Sequence, residues 1–215
     1  MKKKIEFIVR SLLPYRIKKI HHIAREIFFS NKKLNKGIRE LHIDQDLLNN
    51  CMFCENRRIM LNFLPKNSIV AELGTEKGIF AKQIIERTSP MELHLCDVNF
   101  TKFDDNNIIS GLSVKKHEKN TLEFLDTFPK EFFDWIYVDA SHDYKDVVKD
   151  IAAAKSKVKK GGLLIFNDFA HINPYLARFG VMRAVSEFIK NERWTVKYFA
   201  FNHSALYDIA IERPL

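Results

Sequence analysis

A chain of 215 residues with 46% hydrophobic content is long enough for one domain with a full core, and that content excludes disorder along its whole length. The net charge of +8 is concentrated at one end: up to Gly37 eleven basic residues face only Glu6 and Glu26, giving +9, and the remainder carries −1. A nearly neutral body with a basic arm argues against a nucleic-acid enzyme, whose working face would carry basic residues throughout.

In residues 1 to 30 the apolar positions Ile5, Ile8, Val9, Leu12 and Leu13, then Ile17, Ile20, Ala24, Ile27 and Phe28, recur at helical spacing on either side of Pro14. The spacing predicts two short amphipathic helices, so that residues 1–40 form a basic helical extension. Its Lys- and Arg-rich faces suit peripheral contact with an anionic membrane, a lid on the body, or pairing between subunits of a homo-oligomer. No apolar run approaches the roughly 20 residues that span a bilayer. Asn31 to Gly37 reads as a linker, and residues 41–215 form the body. A helix is expected over 43 to 63, carrying Leu47, Leu48, Met52, Ile59 and Leu61, with Cys51 and Cys54 as small core residues rather than half of a zinc site. Three cysteines make no disulfide framework, and the first apolar run, broken by Glu6 and Arg10, is not a signal peptide. The expected location is therefore cytoplasmic, with membrane association through the arm.

Beyond Pro65 the chain alternates strand and helix. Ser68 to Leu73 is an apolar strand that stops at Gly74, and a helix restarts after Gly78. Met91–Cys96, Leu112–His117, Phe133–Val138 and Leu163–Phe166 read as further strands, the last entered by a turn at Gly161-Gly162. Helices are expected near Thr121 to Phe128, over Tyr144 to Val158 and over Val181 to Ile189. Two closing strands, Trp194–Phe199 and Ala205–Ile211, meet at an Asn202-His203-Ser204 turn. Alternating βα units imply an α/β, doubly wound, mostly parallel sheet with helices on both faces.

Gly74 permits a sharp turn and close approach to a ligand, and the helix after Gly78 offers free N–H groups. The spacing Glu-x-Gly-x-x-x-Gly lacks the middle glycine that admits a pyrophosphate, which argues against a dinucleotide. Three aspartates fall at strand ends, where open α/β sheets bind ligands: Asp97, Asp139 and Asp168. Asp97, 23 residues beyond Gly74, is placed to accept hydrogen bonds from ribose hydroxyls. Asp139 and Asp168, on neighbouring strands about 5 Å apart, can hold Mg²⁺ or a similar divalent cation that acidifies a substrate hydroxyl. Without a metal, Asp139 can orient His142, whose imidazole titrates near working pH and is a candidate general base. His171 and His203 are less constrained.

On Glu72-Leu73-Gly74-Thr75-Glu76-Lys77-Gly78, Asp97, Asp134 to Tyr144, Asp150, Gly161-Gly162 and Asn167-Asp168, the chain resembles the class I S-adenosylmethionine-dependent methyltransferases. Within them it resembles most the small O-methyltransferases of sugar and natural-product modification. The resemblance implies a Rossmann-like seven-stranded sheet with an antiparallel last strand. It implies that the cofactor lies over Glu72, Gly74, Thr75 and Gly78, with Asp97 on the ribose, Asn120 and Thr121 beside the adenine, and Asp139 closing the site. The metal-using relatives take ligands from the positions of Asp139, Asn167 and Asp168, an amide here standing where a second acid can occur. The expected activity is methyl transfer to a hydroxyl of a small molecule, a sugar, nucleotide-sugar or surface glycan. An RNA methyltransferase gripping phosphates through the basic arm, and an inactive cofactor-binding scaffold in polysaccharide assembly, are the competing readings.

Overall fold

The runs Val70–Leu73 and Trp135–Val138 are buried at every position, the pattern of strands covered on both faces, and they lie at the centre of the sheet. A computed structural model describes residues 42–108, 113–171, 180–201 and 206–215. The expected N-terminal helices and linker, the closing turn with His203 and the side chain of His171 lie outside the described residues.

In chain order the elements are β1 (Met52–Cys54), α1 (Arg57–Leu61), β2 (Ile69–Leu73), α2 (Ile79–Thr88), β3 (Glu92–Asp97), β4 (Ser113–Glu118), α3 (Thr121–Asp126) and β5 (Phe133–Val138). They continue with α4 (Tyr144–Ala154), β6 (Val158–His171), α5 (Val181–Glu192), β7 (Thr195–Phe201) and β8 (Leu206–Glu212). The strands form one eight-stranded sheet in the order β1-β7-β8-β6-β5-β2-β3-β4. Only β8 runs antiparallel to its neighbours among these strands.

The Rossmann-like, mostly parallel sheet with an antiparallel last strand is as expected, with eight strands rather than seven. The extra strand is β1, which interrupts the helix expected over 43 to 63. Phe53 and Cys54 pair with Phe199 and Ala200 on the sheet edge, and Cys54 is buried there. The apolar residues around position 52 fit a helical period in isolation, and edge pairing overrides it. Helix α1 begins only at Arg57, after Asn56 caps it by accepting from the Ile59 N–H at 3.0 Å. Helix α4 also ends earlier than expected, at Ala154, and β6 runs unbroken from Val158 through Gly161-Gly162.

The sheet separates two apolar layers. Alternation along β5 sends Ile136 and Val138 towards Phe124, Val147, Ile151 and Val185 of α3, α4 and α5. Trp135 and Tyr137 pack on the other face with Met60, Leu61, Phe80 and Ile84 of α1 and α2. The chain runs outward from β2 to β4 on one side and from β5 to β6 on the other. The crevice at this reversal lies beyond the carboxyl ends of β2 and β5, where open α/β sheets bind ligands. Among the described residues no helix is long and apolar enough to cross a membrane.

Candidate active site

A cavity of about 820 Å³ opens at that reversal, lined by residues that include Glu72, Gly74, Thr75, Asp97, Asn120, Thr121 and Asp139. All seven are sequence-predicted site residues. Gly78, His142, Asn167 and Asp168, predicted with them, do not line it.

Backbone geometry shapes one wall. The Gly74 N–H donates to the Cys96 carbonyl at 2.8 Å, and the Asp139 N–H to the Leu73 carbonyl at 2.8 Å, which joins the ends of three strands. Gly74 has φ +86°, and a Cβ there would lie 2.2 Å from the Asp139 carbonyl oxygen, so only glycine fits. Gly78, at φ +76°, instead makes room for Phe103, whose ring a Cβ would meet at 2.5 Å. Its place is in the turn that starts α2. Asp97 accepts from the Thr75 and Glu76 N–H groups through Oδ2, at 3.0 and 2.8 Å, and pins the loop. Asn120 caps α3 by accepting from the Glu123 N–H, and Thr121 donates to Asp150.

Glu72 is buried on this wall, and its Oε2 has no hydrogen-bond partner. Burial, reinforced by the nearby Asp139 charge, pushes its carboxyl well above the usual range. The buried Thr75 hydroxyl is likewise unpartnered.

Behind Arg57 and Asp139, which line the cavity, side chains from distant parts of the chain form a polar network. Arg57 Nη1 donates to the Tyr137 hydroxyl at 3.2 Å and to Asn167 Oδ1 at 3.0 Å, and lies 3.9 Å from Asp139 Oδ2. Tyr137 donates to Asp208 Oδ2 at 2.6 Å. Asn167 Nδ2 donates to Asp139 Oδ1 at 2.9 Å. His142 Nε2 stands between Asp139 Oδ1, at 3.8 Å, and Asp168 Oδ2, at 3.4 Å. Burial pushes Asp139 up to about 8 against the pull of Arg57, with Asp168 and Asp208 adding to the rise. Burial likewise raises Asp208 to about 6, opposed by the Tyr137 hydrogen bond. For Arg57 burial works against the charge, and Tyr137, Asp208 and Asp139 outweigh it, so the guanidinium stays charged.

Arg57, Tyr137 and Asp208 carry no signal in the sequence that marks them as site residues. Arg57 falls in a stretch that reads as an ordinary amphipathic helix, and Tyr137 and Asp208 as strand positions.

The expected metal set does not fit a divalent cation as arranged. Asn167 turns its oxygen to Arg57 and its N–H to Asp139, and Arg57 already sets a positive charge beside Asp139. Among the described residues no group of three or more His, Cys, Asp or Glu side chains is placed to hold a metal ion.

The family model described as a methyltransferase domain matches residues 71–169, the span that carries most of the cavity wall. Solved structures share the fold. The N-methyltransferase NodS from Bradyrhizobium japonicum WM9 aligns at TM-score 0.56 and 17% identity, over 74% of this chain and 95% of that one. An O-methyltransferase family protein from Burkholderia thailandensis aligns at 0.57 and 16%, over 74% of this chain and 55% of its own. The precorrin-6y C5,15-methyltransferase from Geobacter metallireducens GS-15 aligns at 0.57 and 14%, over 73% of this chain and 86% of its own. This chain thus spans nearly all of NodS and little more than half of the Burkholderia protein. No protein of curated function matches the sequence. NodS has also been solved with S-adenosyl-L-homocysteine bound. The chain thus has the class I methyltransferase fold, and its residues 71–169 match the methyltransferase domain family.

Proposed function

We propose that the protein transfers the methyl group of S-adenosylmethionine to a hydroxyl of a small molecule, a sugar, nucleotide-sugar or surface glycan. One observation carries the hydroxyl assignment: Asp139 lies on the cavity wall with its proton affinity raised to about 8, and His142 is 3.8 Å away. An alcohol attacks only as its proton leaves, and a base is most effective when its pKa lies near working pH. The sugar acceptor rests on the family resemblance alone.

The cavity fits the cofactor. The unpartnered Glu72 Oε2 and Thr75 hydroxyl suit the cationic amino end of a methionine moiety. Asp97 suits the ribose, Oδ2 being engaged by the loop and Oδ1 accepting only a long 3.4 Å bond from the Asn99 N–H. When bound, S-adenosylmethionine supplies a methyl carbon already activated by its sulfonium. Asp139 would take the proton of the acceptor hydroxyl as the C–O bond forms and the methyl C–S bond breaks, with S-adenosylhomocysteine leaving. Asn167 and Arg57 hold the Asp139 carboxylate in place, and His142 shares the proton's charge between Asp139 and Asp168. Alignment of acceptor with donor supplies the rest of the rate.

The basic residues up to Gly37 are proposed to hold the enzyme at an anionic membrane surface. Salt-sensitive binding to anionic vesicles tests that part. Methyl-transfer assays on nucleotide-sugars, glycan fractions and amine acceptors test the reaction. Transfer to hydroxyls, lost in Asp139→Asn, is expected; transfer to amines alone would overturn it.

A further inference from the structure

The two edges of the sheet are finished differently. At one edge β4 exposes Ser113, Lys115, Lys116 and Glu118, and such charges keep an edge strand in water and away from other surfaces. At the other edge β1 reads Met-Phe-Cys and carries no charge. Phe53 is 67% exposed, Met52 45%, and Phe201 of the neighbouring β7 45%. The Phe53 and Phe201 rings stack with centroids 6.1 Å apart, and Phe199 joins them 5.8 Å from Phe53. On the opposite face of this edge Phe63, 47% exposed, stacks on Tyr198, the residue paired with Met52. An apolar rim therefore wraps β1 on both faces, where scattered exposed residues would need no explanation. Phe201 ends β7, so the rim reaches the carboxyl end of the sheet, where the cavity opens.

The charge of the chain says what covers the rim. Up to Gly37, fifteen residues ahead of Met52, eleven basic residues face two acidic ones. Such a segment complements an anionic headgroup layer, and the boundary beneath that layer accepts phenyl rings. A second copy of the chain would bring the same excess of positive charge towards its own. We propose that the β1 edge is a membrane-docking surface, with Phe53, Phe201, Met52 and Phe63 entering the headgroup–acyl boundary of an anionic bilayer. The inference rests on the membrane part of the reading above and adds to it a contact that salt does not screen. Docked by this rim, the enzyme meets acceptors carried at the bilayer.

Sedimentation of the full chain with vesicles tests the rim, using phosphatidylcholine alone and phosphatidylcholine mixed with phosphatidylglycerol. The unaltered protein should bind the mixed vesicles and keep part of that binding at high salt. Phe53→Ser with Phe201→Ser should weaken binding about tenfold or more, because the two rings together expose about one whole phenylalanine. Both side chains are exposed, so the melting temperature and the affinity for S-adenosylhomocysteine should stay as in the parent. A second measurement is fluorescence: in Phe53→Trp the added indole should shift to the blue on mixed vesicles, while Trp135 and Trp194 are buried and report little. Binding to mixed vesicles that the double substitution leaves unchanged, with no shift in Phe53→Trp, would remove the rim and leave attachment by charge alone. A parent that self-associates without vesicles, and is made monomeric by the double substitution, would give the rim to a second copy and overturn the inference. A parent that binds neither kind of vesicle would sink the membrane reading and the inference together.

Discussion

The two walls of the cavity are made by different physics. The wall over β2 is backbone: Gly74 bonded to Cys96, Asp139 bonded to Leu73, and the loop amides of Thr75 and Glu76 collected by Asp97. The other wall, at Arg57 and Asp139, is backed by a lattice of side chains, Arg57 to Tyr137 and Asn167, Tyr137 to Asp208, Asn167 to Asp139. Its hydrogen-bonded partners lie up to 110 positions apart along the chain. A backbone wall has one shape and fails when that shape is blocked, so it fixes where a ligand lies. A buried side-chain lattice keeps its shape under small changes while its proton affinities move, so it sets when chemistry happens.

The largest effect should therefore come from a small change on the lattice side. Asp139→Asn keeps the size of the side chain and removes the proposed base, and kcat should fall about 10²–10⁴-fold. Affinity for S-adenosylhomocysteine, measured by calorimetry, should change little. A parallel loss of affinity and turnover would merge the two walls into one functional unit. Next comes the backbone side: Gly74→Ala forces an alanine into a left-handed conformation with its Cβ 2.2 Å from the Asp139 carbonyl. Strain of about 1–2 kcal/mol and overpacking of about 1–3 kcal/mol should appear together in urea denaturation, with cofactor affinity lost alongside. A Gly74→Ala protein as stable as its parent would show that the loop is free to shift.

The same division explains what could be read from the sequence. The β2–loop–α2 unit is local, and Gly74, Asp97 and the strand-end aspartates declare themselves by spacing. The β1 strand does not, because Met52–Cys54 is three residues long and owes its form to pairing with β7, nearly 150 positions away. Arg57, Tyr137 and Asp208 are invisible for the related reason that a buried polar network is defined by who meets whom across the sheet. The orphaned oxygens of Glu72 and Asp208, which mark unfinished polar partnerships, exist only once the walls are assembled.

Two milder changes probe the lattice itself. Tyr137→Phe removes the donor to Asp208 and leaves a buried carboxyl without it, at a cost of about 1–3 kcal/mol in denaturant unfolding. A neutral result would mean that Asp208 finds another donor.

The smallest effect is a slope. Asp208 is raised in the folded protein to about 6 from its ordinary value of 3.8, so the folded state holds this proton more tightly than the unfolded chain. Its stabilising share is complete at low pH, below 3.8, and is lost as pH rises towards about 6. Asp139, raised to about 8, extends the same loss to higher pH. Asp208→Asn keeps an acceptor for Tyr137 but cannot titrate, so its stability should decline less steeply between about pH 4 and 6. The difference in slope cannot exceed one proton's worth, about 1.4 kcal/mol per pH unit. Above about pH 6.5 the two slopes should coincide, because Asp208 has finished titrating and the remaining raised carboxyls, Asp139 and Glu72, are the same in both proteins. Identical slopes across the whole range would mean that Asp208 is already ionised, with Arg57 holding its charge. The lattice would then be an ion pair of fixed charge rather than a set of shared protons, and the distinction between a shape-setting and a proton-setting wall would narrow to Asp139 alone.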